Sequence, residues 1–157
     1  PYAQEGRNVV ILKTFSKIYG LAGMRLGYAL GPPALIERMR PHMLGTMMGT
    51  NQAVVAGATA ALDDKTAYDR VKTDNARVRR FLIDGFRQMG HNSFESQTNF
   101  ILVDLKRPIE PVNRQLWEAG FAVGRRFPSV PHHLRISLGT MADMQRLLAE
   151  VRKILAA

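Results

Sequence analysis

The period of the apolar positions changes several times along the chain, and each change marks a predicted element. Asn8 to Leu12 (NVVIL) is a short β-branched run ending in polar Lys13-Thr14, the pattern of a buried strand that delivers a loop. Arg25 to Leu30 (RLGYAL) is a second candidate strand, closed by Gly31-Pro32-Pro33. Pro33 suits the first turn of a helix with Leu35, Ile36 and Met39 on one face, and Pro41 stops it. Beyond a Gly/Met-rich connection, Met43 to Gly49, the segment after Thr50 (NQAVVAGATAAL) is small and apolar nearly all round, which predicts a helix packed inside a larger body.

Asp63 or Asp64 is placed to cap the longest helix, with Val71, Val78, Phe81, Leu82, Phe86 and Met89 at helical spacing until Gly90 ends it. After Gly90 the chain changes character. Asn99 to Leu105 is predicted as a strand, Pro111 to Ala119 as a short helix closed by Gly120, Phe121 to Gly124 as a second strand and Leu134 to Leu138 as a third. Thr140 with Asp143 forms a capping-box-like start to a final helix that buries Met144, Leu147, Leu148, Val151, Ile154 and Leu155. The stretch therefore reads β-α-β-β-α, a small α+β unit. The first half reads as the end of a larger α/β layer.

Composition narrows the classes without choosing a function. The 157 residues fit one domain of ordinary size, burying about 70% of the surface the unfolded chain exposes. With 46% hydrophobic and 22% charged residues spread throughout, the chain has the balance of a soluble globular protein. The sequence contains no cysteine, which excludes disulfides, thiolate nucleophiles and thiolate-bound metals. No apolar stretch is long enough for a transmembrane helix, Pro1 to Arg7 does not read as a signal peptide, and the cytoplasm is the default expectation. A start of Pro-Tyr-Ala reads as truncation. The net charge of +9 raises nucleic acid as a partner, but the basic residues are dispersed. The densest group, Arg77, Arg79 and Arg80, lacks interleaved aromatics and reads as a solvated helix face.

The informative segment is Thr14-Phe-Ser-Lys17-Ile-Tyr-Gly-Leu-Ala-Gly23-Met-Arg25-Leu-Gly27-Tyr28. It gathers an amine, two hydroxyls and a fixed positive charge, with glycines that let the backbone approach a guest. An aldehyde bearing a phosphate would satisfy both halves, since a partly desolvated lysine beside a cation becomes a nucleophile for carbonyl carbon. Taken singly, each residue also fits a solvated lysine or an ordinary turn. Arg135, between Leu134 and Ile136 on a predicted strand, needs an anionic partner; a substrate carboxylate or a core carboxylate would serve. Asn99 fits a strand-entry hydrogen bond, Tyr19 and Tyr28 fit packing, and Trp117 fits an edge of the core. His132-His133 lacks the further ligands of a metal site.

The segment TFSK followed by GLAGMRLGY resembles the cofactor-lysine motif of the fold-type-I pyridoxal-phosphate enzymes, and in wording it is most similar to the histidinol-phosphate aminotransferase family. LRISLGT, Leu134 to Thr140, is similar to that family's arginine-bearing strand, so the resemblance covers essentially the whole chain. It implies pyridoxal 5'-phosphate as cofactor, held as a Schiff base by Lys17, which would also move the substrate proton. Thr14, Ser16 and Arg25 would hold the cofactor phosphate, and Arg135 the α-carboxylate of the amino acid. The implied organisation is the C-terminal part of a large cofactor-binding domain over residues 1–62, a long linking helix over 63–90 and a small α+β domain over 91–157.

The activity implied is transamination between an amino acid, of histidinol-phosphate-like or aromatic type, and a 2-oxo acid, by a homodimer. The acidic residue that such enzymes set against the ring nitrogen would precede Pro1, so this chain alone is expected to be inactive or weakly active. The competing readings are an amino-acid-phosphate decarboxylase of the same fold and a non-catalytic fragment that binds a partner chain.

Overall fold

The computed structural model describes residues 2, 5, 7–42 and 49–156 as an α/β chain of helices and two small antiparallel sheets. The chain divides into two compact units, Pro1–Val71 and Lys72–Ala157. The Met43-to-Gly49 connection lies largely outside the described residues.

In the first unit, β1 (Ile11–Thr14) pairs antiparallel with β2 (Gly27–Leu30), with Ile11 opposite Leu30 and Thr14 opposite Gly27. The ladder thus starts three residues later than the β-branched run suggested. Val9 and Val10 instead pass Gly31, where a Cβ would stand 3.0 Å from the Val9 carbonyl oxygen. A Cβ on Gly27 would lie 2.6 Å from the Lys13 carbonyl oxygen, so the strands meet at a distance that only glycine allows. All four residues of β1 are exposed, including Leu12 at 71%; the burial expected of this strand is absent.

Pro32-Pro33 starts helix α1 (Pro33–Met39), and Pro41 follows it within a short 3-10 turn. Helix α2 (Gln52–Asp63) begins where the Asn51 side chain accepts from the Ala53 N–H at 2.9 Å. Only Ala58 of α2 is buried, so the small apolar surface that suggested an interior helix is largely open. Asp64, rather than Asp63, caps helix α3 (Lys65–Gln88), its Oδ1 accepting from the Ala67 N–H at 2.8 Å.

The second unit holds the principal core. Val78, Leu82 and Phe86, four residues apart on α3, are buried with Ile101 and Val103 of β3 (Phe100–Asp104) and Leu134 and Ile136 of β4 (His133–Ser137). Val71, seven residues before Val78, is 39% exposed and takes no part. Strands β3 and β4 are antiparallel, with Phe100 opposite Ser137 and Leu102 opposite Arg135. Alternation then gives the sheet a core face of Ile101, Val103, Leu134 and Ile136, and an outer face of Phe100, Leu102, Arg135 and Ser137.

Helix α4 (Ile109–Glu118) buries Ile109, Val112 and Leu116, and Gly120 ends it at φ 86°. Trp117 corrects the expectation of a core-edge residue: it is 70% exposed, because the position after Leu116 turns about 100° away from the buried stripe. The predicted strand Phe121 to Gly124 does not form. Phe121 and Val123 pack against the core, but only the Gly124 N–H reaches β4, donating to the Arg135 carbonyl at 2.9 Å. The observed order is therefore β-α-β-α.

Helix α5 (Met141–Ala156) buries Met144, Leu147, Leu148 and Val151, with Ile154 and Leu155 half-covered. At its start the Asp143 N–H donates to Thr140 Oγ1 at 3.2 Å, and the Thr140 hydroxyl donates to Asp143 Oδ2 at 2.6 Å. That hydroxyl is the chief cause holding the Asp143 carboxyl below the ordinary aspartate value of 3.8. A lowered carboxyl favours the fold above that ordinary value and ceases to do so as pH falls through the lower native value. Thr140→Val is expected to return the Asp143 titration, followed by carboxyl carbon NMR, toward 3.8 and to flatten acid unfolding there; an unmoved titration would refute the assignment.

Candidate active site

Each unit carries one of the groupings singled out above. In the first, β1 ends at Thr14 and β2 begins at Gly27, so the loop between them leaves and re-enters one hairpin. Phe15 is buried, at 3% exposure, and organises that loop. Its N–H donates to the Leu26 carbonyl at 3.1 Å, and its carbonyl accepts from the Leu21 N–H at 3.0 Å. The ring lies 5.1 Å from Tyr19 and 5.8 Å from Tyr28, and Tyr19 continues to Tyr68 of α3 at 5.8 Å. Tyr19 and Tyr28 therefore pack, as expected. Partial burial, with smaller contributions from the neighbouring phenols of Tyr28 and Tyr68, pushes the Tyr19 phenol above its usual value.

The polar residues line this loop. Thr14 Oγ1 donates to Ser16 Oγ at 2.8 Å and accepts from the Ser16 N–H at 3.1 Å. The Leu26 carbonyl is a second acceptor for Thr14 but stands at 3.5 Å. With the threonine proton directed at Ser16, the serine proton is left to donate outward. Lys17 follows directly and is exposed; the described residues do not supply the desolvation the sequence suggested. Arg25 adopts a left-handed conformation at φ 52°, and its Nη1 donates to the Ala22 carbonyl at 2.8 Å. Among the described residues one of its five guanidinium donors is thus engaged.

In the second unit Arg135 stands half-buried on the outer face of β4. Among the described residues no carboxylate pairs with it. Its Nη1 donates to Ser137 Oγ at 3.2 Å, and its guanidinium carbon lies 4.2 Å from the Phe100 ring centroid. Next to it the Asn99 carbonyl accepts from the Leu138 N–H at 2.9 Å, a strand-entry bond. His133 stacks on Phe94 at 5.0 Å. Of the basic group on α3, Arg77 pairs with Asp74 at 3.1 Å and Arg79 donates to the Thr98 carbonyl at 2.9 Å. Sequence reasoning passed over Phe15, Phe100 and Gly124; the glycine within an apolar run was the available sign of close backbone approach.

The donor set suits a phosphorylated aldehyde: a primary amine for the carbonyl carbon, with two hydroxyls and a guanidinium on the same loop for a dianion. Comparison with known proteins points the same way. Residues 1–151 match the family model described as aminotransferase class I and II. The histidinol-phosphate aminotransferase of Bacillus subtilis strain 168 is 35% identical over 99% of the chain and 43% of its own length. A solved chain from Erwinia carotovora atroseptica superposes with a TM-score of 0.88 at 32% identity, covering 98% of this chain and 44% of that one. The histidinol-phosphate aminotransferase of Sinorhizobium meliloti, solved with pyridoxal-5'-phosphate, gives 0.79 at 29% identity over 95% and 41%. The chain thus spans about two-fifths of the length of the curated relatives it matches.

Proposed function

The chain belongs to the class I and II aminotransferases, and on that premise we propose that it supplies the cofactor lysine and the carboxylate-binding arginine of a longer, homodimeric enzyme transferring amino groups from a histidinol-phosphate-like or aromatic amino acid to a 2-oxo acid. Pyridoxal 5'-phosphate, which the Sinorhizobium meliloti enzyme holds, is the cofactor of this reading. When bound, it supplies a ring that withdraws electrons from the substrate α-carbon.

The observation that carries the proposal is the hydroxyl pair of Thr14 and Ser16, 2.8 Å apart and directly before Lys17. The outward serine proton and the remaining donors of Arg25 suit phosphate oxygens, and would hold that end of the cofactor on the loop that carries the amine. Lys17 Nζ would hold the cofactor at its aldehyde carbon, the carbonyl oxygen leaving as water, and as a free amine it would take the substrate α-proton and return it. Arg135, half-buried and without a carboxylate partner among the described residues, accepts the substrate carboxylate on its planar fork.

The test is product analysis with purified enzyme containing this segment, supplied with cofactor, histidinol phosphate and 2-oxoglutarate. Formation of glutamate in step with loss of the amino donor is expected. In a parallel reaction supplied with an amino-acid phosphate that carries an α-carboxylate, release of carbon dioxide without glutamate would assign the decarboxylase instead. In the same enzyme Arg135→Lys is expected to raise KM for a carboxylate-bearing donor about tenfold or more, because an ammonium cannot replace a bidentate pair. Its KM for an amine lacking that carboxylate should hold steady; equal effects on both donors would count against the clamp.

A further inference from the structure

Arg135 needs an orientation as well as a charge, and the sheet's outer face shows what sets it. The chain after α4 passes β4 with Gly124 beside Arg135, joined by the bond from the Gly124 N–H to the Arg135 carbonyl at 2.9 Å. A Cβ built on Gly124 would stand 2.8 Å from Arg135 Nη1, 3.0 Å from its Cγ and 3.0 Å from its carbonyl oxygen. The arginine side chain therefore lies across the bare α-carbon of the glycine. Gly124 is not among the glycines with positive φ, so space rather than backbone conformation is the reason for a glycine there. The guanidinium that Gly124 admits is the one that lies over the Phe100 ring and donates to Ser137.

We propose that Gly124 is a positioning residue, whose missing side chain lets Arg135 lie over Phe100 and within reach of Ser137, in the single orientation from which its free donors meet a substrate carboxylate. The carboxylate half of this statement rests on the function proposed above; the orienting half rests on the distances alone. A Cβ at position 124 would force the Arg135 side chain and carbonyl to give way, and Arg135 would keep its charge while its guanidinium lost its fixed place over the ring. Phe100 acts with Gly124: its ring is the surface against which the planar group settles.

The side-chain Nε–Hε NMR signals of the 157-residue chain provide the test, with sodium acetate as the carboxylate probe. The Arg135 signal is identified by its disappearance in Arg135→Lys. In the wild type it is expected apart from those of exposed arginines and to shift with acetate. In Gly124→Ala it should collapse toward them, with acetate binding about fivefold weaker, the scale of losing a partly desolvated cation–π contact. Methyl signals of Ile101, Val103 and Leu134, on the opposite face, report whether the core is intact. Should Gly124→Ala disturb them, Phe100→Leu decides, with the same collapse expected. An Arg135 signal unchanged in a variant with an intact core overturns the proposal. Collapse in both variants, while acetate leaves the wild-type signal unmoved, upholds the orienting role and removes the carboxylate role from Arg135.

Discussion

Lys17→Ala is expected to abolish the visible absorption of the bound cofactor in the enzyme that contains this segment, and to lower turnover on the order of a thousandfold, the scale of a positioned acid–base group. The expectation follows from where the amine sits. Thr14 and Ser16 are bonded to each other immediately before it, and the loop that carries it is tied at Phe15 to Leu26 and Leu21. Lys13 gives an internal control: it is exposed as Lys17 is, but stands four positions earlier, on β1 rather than in the loop. Lys13→Ala should leave both band and rate within a few-fold of wild type. If the band survived Lys17→Ala and vanished with Lys13→Ala, the assignment of the amine would be wrong.

Phe86→Ala carries the second large effect, a loss of about 3–5 kcal/mol from the stability of the second unit. Phe86 is 1% exposed and belongs to the cluster in which α3 meets both strands and α5. The neighbourhood cannot collapse easily into the space left, because α3 already approaches α5 closely at Gly85, where a Cβ would lie 2.3 Å from Leu148 Cδ2. Urea unfolding followed by far-ultraviolet circular dichroism is the appropriate measurement, since Trp117, 70% exposed, makes an insensitive fluorescence reporter. Trp117→Ala is the matching control and should change stability by no more than about 0.5 kcal/mol. A Phe86→Ala change no larger than that of Trp117→Ala would contradict the described core.

These contrasts show what was legible in the sequence. Helical periodicity located α3, α4 and α5 because their buried positions recur on one face and their ends carry Asp64, Gly90, Gly120 and Thr140. Phe121 and Val123 misled because an alternating apolar pattern records burial, while a strand also needs a sustained ladder; here a single bond reaches β4. Trp117 misled because hydrophobicity does not state which side of a helix a residue takes. Of the proposed site, Thr14, Ser16, Lys17, Arg25 and Arg135 were singled out by their local chemistry and given their roles through motif resemblance. Neither the donation of Arg25 to a backbone carbonyl nor the fit of Arg135 against Gly124 could be found that way, since both depend on neighbours brought together only by folding.

The loop around Phe15 bears also on the order in which the chain acquires structure. Its closure joins Thr14 to Gly27 and draws on Phe15, Tyr19 and Tyr28, all within the same short stretch. Contacts so local form on the timescale of a hairpin, about 1–10 μs. The pairing of Phe100 with Ser137 must instead wait for α4 to be laid down between its strands. During synthesis the amine-bearing loop would accordingly take shape before the arginine strand.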